Sequence, residues 1–189
     1  MFIQEFYSNM HAIVTSIPWF TTIFRGTRII VIPELIFELL HVPRVDRPDY
    51  PSHRHLSSIS SKELASLFCE KAMLWGGTLN FSIIEFSKGP WFLNMVMTFV
   101  LTLRSHYNTI TEPGAHFVLS LMEGLFIDFP SHMIESIIDC YHDTTTHDKL
   151  IFPLAITRIL IHMHITILPS PHFHVMVAIS KESIWRSAA

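Results

Sequence analysis

Cys140, His142, Asp143, His147 and Asp148 form the densest gathering in this chain of groups able to bind a metal ion or move a proton. Thiolate and imidazole suit zinc, and the carboxylates suit harder cations. The spacing includes no C-x-x-C pair and matches no closed four-ligand pattern, so the stretch reads as a helix end running into a polar loop. His162 and His164 stand two residues apart, which on a helix aims them at different faces. His53 and His55 flank Arg54 in a proline-rich stretch and read as surface histidines.

Covalent catalysis needs a nucleophile on a sharp turn beside a base, and the chain has no G-x-S-x-G. Cys69 falls inside the helical pattern Leu64 to Met73, the setting of an inert buried thiol. Gly76-Gly77 lacks the frame of a phosphate-binding loop. Asp128, Asp139, Asp143 and Asp148 lie on helix ends or in loops, not on the strands that two-metal phosphoryl chemistry requires. No catalytic residue, cofactor site or metal ligand is assigned, and the expectation is a non-enzymatic domain. Nucleic-acid contact has one candidate pair, Arg25 and Arg28, flanking Gly26; Asp46 and Asp49 dilute the further arginines Arg44, Arg47 and Arg54. A net charge of −3 gives no broad basic footprint, and the same two arginines also read as the solvated part of a tight turn.

A length of 189 residues suits one domain with a real core, and 49% hydrophobic against 15% charged residues excludes a disordered chain. The apolar runs Trp91–Leu103 and Ile156–Leu168 are too short or too interrupted to span a bilayer, so no membrane span is expected. The opening residues do not look like a secretory leader. Two cysteines fit a reducing compartment, which points to an intracellular protein, cytoplasmic or nuclear.

The elements that would position these groups are mainly helical. Phe2, Phe6, Met10 and Ile13 have helical spacing, predicting an entry helix through Val14. Thr21 to Ile32 is β-branched around Arg25-Gly26 and predicts a small hairpin or bent strand. Pro33 then opens a helix whose face is Leu35, Ile36, Leu39 and Leu40, with Ile30, Ile32, Ile36 and Leu40 expected inside. Ser60 with Glu63 is a capping box for a helix ending near Gly76-Gly77. "TLNFSIIEFSKGP" is either a loop or a second strand pair. Trp91–Arg104, apolar all round, predicts a central helix with Met95 and Phe99 in the core. Thr111-Glu112-Pro113 introduces a helix with Phe117, Val118, Leu121, Met122 and Leu125 on its apolar face. Ser131 is expected to cap another bearing Met133, Ile134, Ile137, Ile138 and Tyr141, and Pro153 opens a last one running to about Ile165. The fold class is mainly α, a single helical domain with a small N-terminal β-hairpin or strand pair. It spans residues 1–167, with a tail over 168–189.

"EFYSN", "FRGTRIIVIPELIFELLHVP", "TITEPGAHFVLSLMEGLFIDFPSHMIESI" and "LIFPLAITRIL", in that order, resemble the plant "putative transposon protein" domain of retrotransposon-derived reading frames, over roughly Phe2 to Ile167. That family is often labelled transposase. The resemblance implies an element-encoded origin and no established catalytic residues. No partner is fixed: the helical patterning and the surplus of apolar surface make self-association or another element-encoded protein the candidates, beside nucleic acid.

Overall fold

The computed structural model of the chain describes residues 2–51, 59–69, 80–98, 109–142 and 151–167. In order these hold α1 (Phe2–Ser8), β1 (Met10–Val14), β2 (Trp19–Phe24), β3 (Thr27–Val31), α2 (Pro33–Leu40) and α3 (Ser61–Phe68). Then come β4 (Asn80–Ser82), α4 (Lys88–Val96), β5 (Thr109–Thr111), α5 (Glu112–Met122), α6 (Phe129–His142) and α7 (Pro153–His162). Helix dominates, as expected, but the N-terminal β element is a three-stranded antiparallel sheet in the order β1-β2-β3.

The third strand comes from the predicted entry helix. That helix stops at Ser8 and the chain re-enters as β1, with Met10 opposite Thr22. Ser8 and Asn9 are the reason: such side chains compete for backbone groups in a helix interior, and the Ser8 hydroxyl donates to Gln4 O at 2.7 Å. Met10 is buried from the strand instead. Arg25 and Gly26, both at positive φ (48° and 78°), close the two-residue turn from β2 to β3, whose twist matches the flanking strands.

Register corrects a second expectation. Phe20, Thr22 and Phe24 face inward on β2 and pair with Val31, Ile29 and Thr27, so Ile29 and Val31 are fully buried. Ile30 (52% exposed) and Ile32 (37%) point outward instead. Because side chains alternate, choosing one β-branched set for the core expels the other. Pro33 does open α2, and Ile36 is buried while Leu40 is half-buried.

Two hydrophobic clusters result. One packs α1, the inner sheet face, α2, α6 and α7 around Phe6, Phe20, Phe24, Ile36, Ile134 and Ile156. Each such side chain contributes about 1.5–3 kcal/mol through burial. The other gathers α3, α5 and the β4–β5 pair around Leu64, Phe68, Ile83, Ile110, Val118 and Leu119. The capping box of α3 is present, with Ser60 N donating to Glu63 Oε2 at 2.7 Å. This helix ends at Phe68, where Cys69 leaves to bridge Phe86; Met73, Gly76 and Gly77 lie outside the described residues. The open choice at "TLNFSIIEFSKGP" resolves to a strand, β4, paired with β5, followed by one turn of 3-10 helix at Ile83–Glu85.

The predicted central helix is α4. It begins earlier, at Lys88, and buries Pro90, Asn94 and Met95 while Phe92 is exposed, so it lies on the second cluster by one side. Phe99 to Arg104 fall outside the described residues. Thr111 caps α5, its hydroxyl accepting from Gly114 N at 3.3 Å. Phe117 and Val118 are buried, but Leu121 and Met122 are exposed near the helix end. α7 ends at His162, short of Ile165.

Candidate functional site at the junction of two cores

Helix α6 carries the groups on which the two clusters meet. Its predicted start was Ser131, but the helix begins at Phe129, and the carbonyl of Asp128 accepts from His132 N at 3.0 Å. Pro130 fits this earlier start, since the first turn needs no N–H from it. Ser131 turns its hydroxyl to Asp128 Oδ2 at 2.6 Å. Asp128 is nearly buried, at 7% exposure, and both its oxygens accept from Arg44 Nε, at 3.0 and 3.2 Å. Arg44 Nη1 also pairs with Glu34 on α2. Burial would lower the Arg44 pKa, but Asp128 and then Glu34 outweigh it and raise it, so the guanidinium stays charged.

One turn further along, the His132 ring stacks on Phe117 of α5, with centroids 4.5 Å apart and planes 15° apart. Tyr50 meets both rings edge-on, at 5.2 Å from His132 and 5.4 Å from Phe117. Tyr50 is placed there because its neighbour Asp49 pairs with Phe126 in both directions. Asp49 N donates to Phe126 O at 2.8 Å, and Phe126 N donates to Asp49 Oδ2 at 3.1 Å. Burial lowers the His132 pKa to about 4, so the ring is neutral near pH 7. Burial, then the Glu135 and Asp139 carboxylates, push the Tyr50 hydroxyl up to about 12. Burial, Asp139 and Asp128 raise Glu135 as well.

A neutral histidine between aromatic rings and an acid locked by arginine and serine join elements strongly. Asp128 lies within hydrogen-bond reach of the Ser131 hydroxyl, at 2.6 Å, and the same carboxylate is held on both oxygens by Arg44. Sequence alone groups Arg44 with the other arginines and Asp128 with acids at helix ends; nothing in it pairs them, since 84 residues separate them. His132 was missed altogether. The sole local signal was the D-x-P opening of α6, in which Asp128 takes the cap position.

The residues singled out for chemistry are scattered. Cys140 is half-buried, next to the buried Tyr7 hydroxyl, and His142 is exposed at the end of α6. Asp143, His147 and Asp148, like His53, Arg54 and His55, lie outside the described residues. Among the described residues no group of His, Cys, Asp and Glu is arranged to hold a metal ion. His162 ends α7, and His164 follows it at positive φ, outside any helix. Cys69 is buried at a helix end, and burial with the Glu85 carboxylate raises its thiol pKa.

Arg25 and Arg28 are both exposed, on different parts of the hairpin. Arg25 is engaged within the chain. Its Nη1 donates to Thr166 O at 2.7 Å, its backbone N donates to Glu5 Oε1 at 3.3 Å, and its guanidinium lies over Phe24. Arg28 stands opposite Ile23 on the outer sheet face. No described helix is long and apolar enough to cross a membrane.

The model of one protein family, described as "Putative plant retrotransposon-related domain", matches residues 1–166. Comparison with curated proteins and with solved structures finds no match.

Proposed function

The chain belongs to the plant retrotransposon-related domain family, and from that premise we propose that it is a non-enzymatic structural or interaction domain of an element-derived protein. The observation that carries this reading is the use made of the polar groups on α6. Arg44, Asp128, Ser131 and Glu34 tie α6 to α2 and to the segment after it, and the half-buried His132 packs between Phe117 and Tyr50. These are the groups best placed for chemistry, and they hold two cores together. The outer side of α7 favours an interaction role. Leu154 (63% exposed) and Ile161 (59%) lie on one face around Arg158, whose Nη1 caps the carbonyl of Leu39 on α2.

Light scattering on a size-exclusion column tests the reading. Concentration-dependent self-association, weakened by Leu154→Ser with Ile161→Ser, is expected. A strictly monomeric and inert species at high concentration counts against assembly. Mg²⁺-dependent nicking of plasmid DNA, abolished by Asp139→Asn, would replace this reading with a nuclease.

Nucleic-acid binding is the second reading, and the exposed Arg28 favours it. It requires a salt-dependent affinity that falls when Arg28 is removed; an affinity indifferent to Arg25 and Arg28 excludes this surface.

A further inference from the structure

The two hydrophobic clusters divide the sequence cleanly. Buried residues of the first lie between Ile3 and Ile36 and again between Met133 and Leu160, while those of the second lie between Leu64 and Leu119. The second is therefore inserted into the first, and the chain must pass between them twice, after α2 and before α6. Element packing follows the same division. In the first part α2 lies on α6 and α7, and α1 on β2 and α7; in the second, α3 and α4 lie on α5, and β4 pairs with β5. Among the described elements, no pair from opposite parts packs as extensively as these. Phe117 is buried yet belongs to neither cluster.

The two passages are pinned to each other. Arg44 on the first holds Asp128 on the second, at 3.0 and 3.2 Å, and Asp49 exchanges hydrogen bonds with Phe126, at 2.8 and 3.1 Å. From one part to the other, the rings of His132 on α6 and Phe117 on α5 stack at 4.5 Å, with Tyr50 against both. Each core buries its own aliphatic and aromatic side chains, so parting the two disrupts the ring stack and leaves both cores closed. Where two cores meet on a junction of this kind and not on a broad apolar face, relative motion is the expected behaviour. A hinge needs no more than a few residues at element ends.

We propose that this junction is a hinge. The second part swings from the first about the Arg44–Asp128 and Asp49–Phe126 contacts with both cores intact, and the His132–Phe117 stack is the latch that closes it. Opening bares the Phe117 ring and the face of His132 that covers it.

Distances between spin labels test this in the full chain, with Cys69→Ala and Cys140→Ala removing the native thiols. Ile84→Cys marks the second part and Ile17→Cys the first; both sites are exposed. One dominant distance is expected, and His132→Ala should raise the share of a longer one at least three-fold. A pair within the first part, Ile17→Cys with Leu154→Cys, should not change. Should His132→Ala fail to fold, Phe117→Leu, which trims the stack and keeps an apolar side chain, decides instead by the same readout. An unchanged or shortened distance from residue 17 to residue 84 in a folded latch variant overturns the proposal. So does a lengthened distance from residue 17 to residue 154. Loss of either core in both latch variants, read by hydrogen exchange of amides 20–24 and 115–119, equally overturns it, because the cores then do not stand apart.

Discussion

Arg44 Nε is shared between the two carboxylate oxygens of Asp128, at 3.0 and 3.2 Å, and this contact fastens the segment after α2 to the head of α6 across 84 residues of sequence. Asp128 is nearly buried, and Glu34, the other acid on Arg44, is exposed. Arg44→Ala should therefore cost about 2–4 kcal/mol, because it strands a buried carboxylate. Glu34→Ala should cost less than about 1 kcal/mol, the usual worth of a surface pair. Urea denaturation of the two variants measures both, and equal small losses would show that the Asp128 contact is not structural.

Acid should weaken the fold through His132. The ring titrates near pH 6.5 in an unfolded chain and at about 4 when folded, so between those values the unfolded chain binds more protons. Stability from this group is complete above about pH 6.5 and is lost as pH falls toward 4. At about 1.4 kcal/mol per pH unit over about 2.5 units, the full effect is at most about 3.5 kcal/mol. Glu135, whose pKa is raised, acts oppositely: its contribution falls as pH rises through its folded value, which trims the slope at the acid end. His132→Phe keeps the aromatic stack and should flatten the stability profile between pH 4 and 6.5. An unchanged slope in that variant would place the acid sensitivity elsewhere.

Gly26 holds φ of 78°, and a Cβ built there meets nothing within 4 Å. Gly26→Val should thus destabilise by strain alone, about 1–3 kcal/mol. Arg25→Ala removes an exposed bond to Thr166 and should cost under about 1 kcal/mol. A neutral Gly26→Val together with a disruptive Arg25→Ala would mean that the hairpin is organised by the arginine.

The register of β3 can be read from two alanines. Ile29→Ala empties a fully buried site and should cost about 2–4 kcal/mol. Ile32→Ala, on the outer side, should cost less than about 1 kcal/mol. Thermal melts in the reverse order would place the register one residue away.

Local chemistry was legible from the chain alone: the Ser60–Glu63 box, Thr111 at the head of α5, Pro33 at the head of α2 and the Arg25-Gly26 turn all stand where sequence puts them. Each is settled within four residues, by a side chain reaching its own backbone or by a backbone angle that few residues tolerate. The family was legible too, through ordered motifs that the family match to residues 1–166 bears out.

Where two segments compete for one interior, composition does not choose, and packing did. Ile29 and Ile30 are the same residue, yet the first is buried and the second half-exposed, because Phe20 and Phe24 on the neighbouring strand admit only one register. Met10 has helical spacing from Phe6 and lies in a strand, since β2 offers it backbone partners that an isolated third helical turn lacks. Asp128 and Arg44, and the ring set of Tyr50, Phe117 and His132, come from segments far apart in the chain, and no short-range pattern encodes such meetings. They exist only once two hydrophobic clusters have closed against α6, which buries Asp128 and Phe117 and leaves Arg44, Tyr50 and His132 as their partners.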